Sequence, residues 1–167
     1  MIEIRELREE DSVDAITALL HTAYASLAAM GLRYFASHQD SSTTSRRLRN
    51  GFPFVATESG EIIGTVTLYG PSLDSPCEWY QQPGVYRFGQ FAVHPRLQGQ
   101  GIGSRMLAVV EAAARERSAQ ELALDTAEGA AHLRKWYERR DFCFVQFTSW
   151  SDTNYQSVVL SKRLAAH

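Results

Sequence analysis

The chain reads as a mixed α/β (α+β) domain of three layers. Strand-like and helix-like patterns intermingle along it without the strict alternation that an all-parallel sheet requires. A hairpin signal in the first half and two strand patterns at the end point to a mixed sheet. The 167 residues, 44% hydrophobic and 22% charged, can bury a substantial core, so residues 1–167 are expected to form a single domain.

Ile2 to Leu7 alternates as a half-buried strand does. Asp11 and Ser12 offer N-cap oxygens to a helix whose apolar face is Val13, Ile16, Leu20, Ala23 and Leu27. Gly31 interrupts it, and the stretch to Asp40 has no clear period. Ser41 to Thr44 starts a short helix that stops at Asn50-Gly51, where glycine suits a left-handed cap. Phe54–Glu58 and Ile62–Leu68 read as strands joined by a Ser59-Gly60 turn. Three prolines and two glycines make Tyr69 to Gly84 a loop. Val85 to Val93 is a strand, in which Gly89 suggests a bulge or a close backbone approach. Ile102, Met106, Val109, Val110 and Ala113 mark an amphipathic helix ending near Ser118. A short strand (Glu121–Thr126), a helix (Ala130–Arg140) and two closing strands (Phe142–Trp150, Tyr155–Leu160) complete the pattern.

Composition excludes several function classes. The formal net charge of −2 leaves no basic footprint for duplex nucleic acid. No apolar run nears the ~20 residues of a bilayer span, and the N-terminal segment lacks the order of a signal peptide, so no membrane association is expected. Cys77 and Cys143 are too few for a disulfide framework, and a reducing cytoplasm is the natural setting. His21, His38, His132 and His167 show no ligand spacing, so no metal is assigned.

The segment with most chemistry runs from Phe91 to Ser104. Its strand ends at Val93, and His94-Pro95 breaks it, the histidine holding the turn. Gly99, Gly101 and Gly103 follow at every second position and a helix opens directly after them. Helix N-termini expose unpaired N–H groups and partial positive charge, and glycines let such a backbone curl around an anion. This is a phosphate cradle. It lacks the Gly-Lys-Ser/Thr ending of a P-loop, and Ser104 stands where the dinucleotide fingerprint needs its third glycine.

Gln98-x-x-Gly101-x-Gly103 resembles the Gln/Arg-x-x-Gly-x-Gly/Ala motif of the GNAT superfamily of acetyl-CoA-dependent N-acetyltransferases. The flank Phe91-Ala92-Val93-His94-Pro95 and the downstream Trp136-Tyr137-Glu138-Arg139-Arg140-Asp141-Phe142 resemble that family too, and the element order agrees over nearly the whole chain. The resemblance implies a three-layer domain with a central mixed sheet of about seven strands and about four helices, and a bulge and splayed strands at the cofactor cleft. It implies acetyl transfer from acetyl-CoA, by direct attack in a ternary complex, to a small-molecule or peptide primary amine. The backbone of Gln98, Gly99, Gln100, Gly101, Ile102, Gly103 and Ser104 would hold the pyrophosphate. Phe91, Ala92 and Val93 would pair with the pantetheine arm, with Val93 N–H as oxyanion donor. Tyr137 would be the general acid, and Tyr24 to Gln39 would cover the acceptor.

Four positions depart from the family pattern. Gln90 and Arg87 stand on the central strand where many members place a glutamate, and neither is a base; Glu78, His38, Asp40, Glu128 or a water chain remain for that role, or an acceptor amine whose own pKa is lowered. Ala130 replaces a frequent asparagine, and Asp141 replaces a glycine. Tyr24, His38, Glu78 and Trp79 are the acceptor-site candidates. The loop bearing Tyr69, Asp74, Glu78, Trp79 and Tyr80 is either an organic-cation lining or a packed surface loop. Arg46, Arg47 and Arg49 read as a solvated helical face. A non-catalytic acyl-CoA-binding sensor of the same fold is the alternative function, and a homodimer is compatible with either.

Overall fold

The computed structural model describes residues 1–165, so His167 lies outside the described residues. The elements in order are β1 (Ile2–Glu6), α1 (Val13–Ala29), α2 (Ser41–Arg49), β2 (Phe52–Glu58), β3 (Glu61–Tyr69) and β4 (Val85–Val93). Then follow α3 (Ile102–Glu116), β5 (Glu121–Ala127), α4 (Ala131–Glu138), β6 (Cys143–Thr148) and β7 (Ser157–Arg163). One seven-stranded sheet has the order β1-β2-β3-β4-β5-β7-β6, and only β4 and β5 run parallel. The mixed three-layer architecture is the one the sequence implies. No helix among the described residues is long and apolar enough to cross a membrane.

Strand parity assigns the layers. Phe54, Val66, Leu68, Leu122, Leu124, Val158 and Leu160 face α3, whose Met106, Leu107, Val110, Ala113 and Ala114 are buried against them, and Tyr137 of α4 joins the same core. On the other face, Ile16, Leu19 and Leu20 of α1 and Leu48 of α2 pack on Val55 and Ala92. Farther along that face, Cys77 and Tyr80 of the β3–β4 loop cover Ala123 and Val159. The loop is therefore a packed layer, built around the short helical turn Glu78–Gln81.

Local chemistry fixes the ends of these elements. The Ser12 hydroxyl accepts from Ala15 N–H and caps α1, while Asp11 receives the Arg5 guanidinium through two 2.8 Å hydrogen bonds. That pairing holds the Asp11 carboxyl below its ordinary range. Asp40 caps α2 by accepting from Thr43 N–H. Ser59 and Gly60 both have positive φ, as a tight hairpin turn requires. Asp141 adopts φ +72° and so supplies the left-handed residue after α4 that a glycine would otherwise provide.

Two sequence expectations need correction. Gly51 is not a left-handed cap: a Cβ there would stand 2.5 Å from the Leu68 carbonyl oxygen and 2.8 Å from Thr67 Cγ2, so close approach to β3 demands the glycine. The β4 bulge lies one residue beyond Gly89. Thr65 pairs with Ala92 and Thr67 with Gly89, so Val66 alone faces both Gln90 and Phe91, and Gln90 takes the left-handed φ of +50°.

Gly51→Ala tests the close approach. Overpacking of this kind costs about 1–3 kcal/mol, and for a domain of this size each kcal/mol lowers Tm by roughly 2–4 °C. A thermal unfolding curve matching wild type would show that α2 does not need its contact with β3 at this point.

Candidate active site

The strand pair β4–β5 is short-lived. Val85, Tyr86 and Arg87 pair with Glu121, Leu122 and Ala123, and beyond Arg87 the two strands part. The gap opens into a cleft of about 910 Å³. One wall is β4 from Arg87 to Val93, and the other carries Leu124, Asp125 and Thr126 of β5. The glycine turn and Trp136, Tyr137 and Arg140 close one end; α1, Tyr34 and the start of the β3–β4 loop border the other.

At the glycine end, Gly99 and Gly101 have φ of +80° and +84°, and a Cβ on either would meet nothing within 4 Å. These glycines are required by backbone conformation, and the space above them is open. Gly101 caps α3 without a side chain to accept from the first-turn N–H groups, which leaves those donors to an external anion. Gln98 turns its side chain back to β4 and donates to the Val93 carbonyl at 3.1 Å, bracing the turn on the strand. Arg140 adds a positive charge: it donates to Ser104 Oγ at 3.0 Å and to the Trp136 carbonyl at 2.8 Å, and lies 3.6 Å above the Trp136 ring.

In the middle of the cleft, His94 N–H donates to the Ile63 carbonyl at 2.8 Å. Antiparallel alternation then turns the N–H of the preceding residue, Val93, away from β3 and into the cleft. The Phe91 carbonyl accepts from the Tyr24 hydroxyl at 2.8 Å, so that backbone group is already engaged. The Tyr24 ring stacks on Tyr34 at 5.3 Å, and Tyr34 in turn receives Ala127 N–H and shares a 2.6 Å hydrogen bond with Thr126 Oγ1. Two stacked tyrosines thus span the parted strands. Tyr137 is 8% exposed, packed among Phe88, Trp136 and Phe142, and its hydroxyl has no hydrogen-bond partner among the described residues. Burial, reinforced by Tyr24 and Tyr34, pushes its pKa well above the ordinary phenol value.

A model of the acetyltransferase (GNAT) family matches residues 13–142. The chain belongs to this family. The S-(2-succino)cysteine N-acetyltransferase of Bacillus subtilis is 29% identical to it over 141 residues, 81% of each chain. A GNAT acetyltransferase from Elizabethkingia anophelis, solved with acetyl-CoA bound, superposes with a TM-score of 0.70 at 18% identity, covering 98% of both chains. A GNAT acetyltransferase from Staphylococcus aureus superposes with a TM-score of 0.74 at 13% identity, covering 99% of this chain and 100% of that one. These likenesses to solved structures establish the fold.

Within the GNAT domain, several residues singled out from sequence meet in the cleft. Tyr24, Phe91, Ala92, Val93, Gln98, Gly99, Gly101, Ile102, Gly103, Ser104 and Tyr137 line it. Gln100 is exposed and is not part of the cleft lining. His38, Glu78 and Trp79 do not line the cleft. His38 is exposed with its ring edge-on to Phe35, Glu78 is exposed, and Trp79 packs under the β3–β4 loop. The proposed bases fail on position as well: Asp40 is committed to capping α2, and Glu128 is exposed outside the lining.

Sequence reasoning missed Asp125 and Arg140 and misread Arg47, which is partly buried and lines the cleft; Arg46 borders the cleft while remaining exposed, and Arg49 is exposed as expected. Arg140 sits in the quoted Tyr137 segment, but its contact with Ser104 spans 36 positions, beyond any local pattern. Asp125 lies on β5, where only strand parity sets it apart. Its carboxylate accepts from the Tyr80 hydroxyl at 2.6 Å and from Trp150 Nε1 at 2.8 Å.

Asp125→Ala would orphan the hydroxyl of Tyr80, whose residue is 1% exposed, together with the indole N–H. Each unsatisfied buried donor costs about 1–3 kcal/mol, so urea unfolding should show a loss within or just above that range. An unchanged midpoint would mean that Asp125 is not the anchor of this wall.

Proposed function

We propose that this protein transfers the acetyl group of acetyl-CoA to a primary amine within the β4–β5 cleft. The observation that carries the reading is the shared cleft. An open left-handed glycine turn at a helix start, a strand N–H turned inward and an unpartnered tyrosine hydroxyl all meet in it. The backbone from Gln98 to Ser104 and the Arg140 guanidinium would hold the pyrophosphate. The pantetheine arm would run along β4 from Phe91 to Val93. The Phe91 and Val93 carbonyls already have partners, so the strand offers the arm chiefly its N–H groups.

The amine nitrogen attacks the thioester carbon, and negative charge gathers on the carbonyl oxygen. Val93 N–H, fixed by the ladder, is the donor placed to stabilise it. Collapse breaks the C–S bond and Tyr137 gives its proton to the departing thiolate; the nitrogen of the new amide sheds its extra proton to solvent, and the phenolate takes one back from there. Burial keeps Tyr137 in its neutral, proton-donating form. The incoming amine must arrive unprotonated. At pH 7 only about one part in a thousand of an amine with pKa near 10 is neutral, so a proton has to leave through water or a nearby carboxylate. Asp125 lines the cleft on β5 where the strands part, with Asp74 and Asp152 elsewhere in the lining, and its carboxylate can hold the ammonium before that proton departs.

Acetyl-CoA is expected to bind in the micromolar range, about −8 kcal/mol, with ATP and NAD far weaker. Gly101→Asp would place a side chain on a left-handed residue and a negative charge in the cradle. Calorimetry should show at least a tenfold weaker acetyl-CoA affinity; normal binding would move the phosphate site elsewhere.

Tyr137→Phe keeps the ring packing and removes only the hydroxyl. Acid catalysis is worth typically 10²–10⁴-fold, and a thiolate is a good leaving group, so kcat should fall about a hundredfold with little change in acetyl-CoA affinity. Because the Tyr137 pKa is raised, the neutral acid persists as pH climbs, and the wild-type rate should show no decline at the ordinary phenol pKa. Wild-type turnover in Tyr137→Phe would remove the hydroxyl from the mechanism.

A further inference from the structure

The acceptor end of the cleft carries cationic groups that the acetyl-transfer chemistry does not use. Arg87 on β4 lies between two aromatic rings, 4.5 Å from the Tyr69 centroid and 5.2 Å from that of Tyr80. Its Nε is buried with no hydrogen-bond partner. Arg47 of α2 reaches the cleft from the other side of Gly89, its Nη2 standing 3.9 Å from where a Cβ on that glycine would be. Neither arginine pairs with a carboxylate among the described residues.

Arg47 is held in place from within. Its Nη1 donates to Gln39 Oε1 at 2.7 Å. Gln39, 2% exposed, donates onward to Gln90 Oε1 at 2.7 Å and to Thr44 Oγ1 at 2.8 Å. The network stops at Gln90, which lines the cleft. That residue is 3% exposed, and its Nε2 donor has no acceptor. A buried amide donor costs free energy unless something bonds to it. Gln90 is also the bulge residue with left-handed φ, so backbone strain is spent to place this amide.

We propose that Arg47, Arg87 and the Gln90 amide form an anion site that holds a carboxylate of the acceptor, making the acceptor an amino acid-like compound. The inference rests on the acetyl-transfer reading above and adds the acceptor's class. A carboxylate on these three groups would satisfy the orphaned donors, and guanidinium groups match its geometry. Asp125, on the opposite wall, faces the amine of the same molecule. The site discriminates against polyamines, which would set a second cation beside two arginines.

The test is a CoA thiol-release assay on the full chain with matched acceptors. L-Glutamate and S-carboxymethyl-L-cysteine are compared with their carboxamides and with spermidine, and β-alanine with O-phosphoethanolamine. The carboxylates should exceed their amides by tenfold or more in kcat/KM, and β-alanine should exceed the phosphate. Arg47→Gln should raise KM for the carboxylate substrates tenfold or more, with kcat changed less than threefold and KM for the amides unmoved. Arg87→Gln should do the same. Should its aromatic packing fail, glutarate provides a second measurement on wild type: inhibition competitive with the amine and not with acetyl-CoA.

Preference for spermidine, for the amides or for the phosphate would overturn the carboxylate site and leave acetyl transfer standing. Loss of kcat with KM unchanged in both variants would also overturn it. Binding of acetyl-CoA without turnover of any amine would overturn the acetyl-transfer reading, and this inference with it.

Discussion

The parting of β4 and β5 is the constraint on which the rest of the molecule depends. A parallel pair that lasts three residues a side leaves two strand ends with backbone groups that have lost their ladder partners. Buried backbone groups need partners, and the chain supplies several from outside the sheet. Tyr24 from α1 takes the Phe91 carbonyl, Gln98 takes that of Val93, and Tyr34 receives Ala127 N–H. The two tyrosines then stack on each other, so the separated strands are held apart by a rigid aromatic spacer. The groups these residues leave free, above all Val93 N–H, are the ones proposed to meet the reacting thioester.

The cleft has two ends of different character. The glycine end offers backbone N–H groups and Arg140, with the bulk of Trp136 beneath the guanidinium. The far end offers Arg47, Arg87 and Gln90 on one wall and Asp125 on the other. Between them the lining is aromatic, with Phe88, Phe91, Trp136 and Tyr137 in mutual contact. Charge at both ends with an apolar middle suits two polar reactants whose reacting atoms meet in a water-poor centre.

Most of the fold was legible in the sequence because its signals are local. Hairpin glycine, helix caps and alternating apolar residues each act within a few positions, and the element order follows from them. The glycine turn was legible for the same reason, since one strand-to-helix junction holds it whole. Asp125, Arg140 and the Arg47–Gln39–Gln90 chain were not. Each takes its meaning from partners far away in sequence, and no period in a single segment encodes them. The loop before β4 deceived by composition. Its Glu78 and Trp79 suggested a ligand lining, yet Trp79 packs beneath the loop and Glu78 faces solvent. The misplacement of the bulge at Gly89 was subtler: glycine marks where the backbone is free to distort, but the distortion fell on the polar neighbour whose side chain is held by Gln39.

That extra residue in β4 also bears on how this strand can change over evolutionary time. Val85 and Ala92 are an odd number of positions apart, yet both pack on the face away from α3, because the bulge resets the alternation between them. Deleting one residue at Gln90 would restore a regular ladder and cost little in backbone pairing. Ala92 and Val93 would keep Thr65 and Gly64 as partners and keep their faces, so what would go is the buried Gln90 amide and the local bend that a bulge puts into its strand. A small repair to the sheet would remove the bend and the amide together. Length at this one point therefore sets the shape of the strand and not its register: the neighbours on either side keep their partners with or without the extra residue.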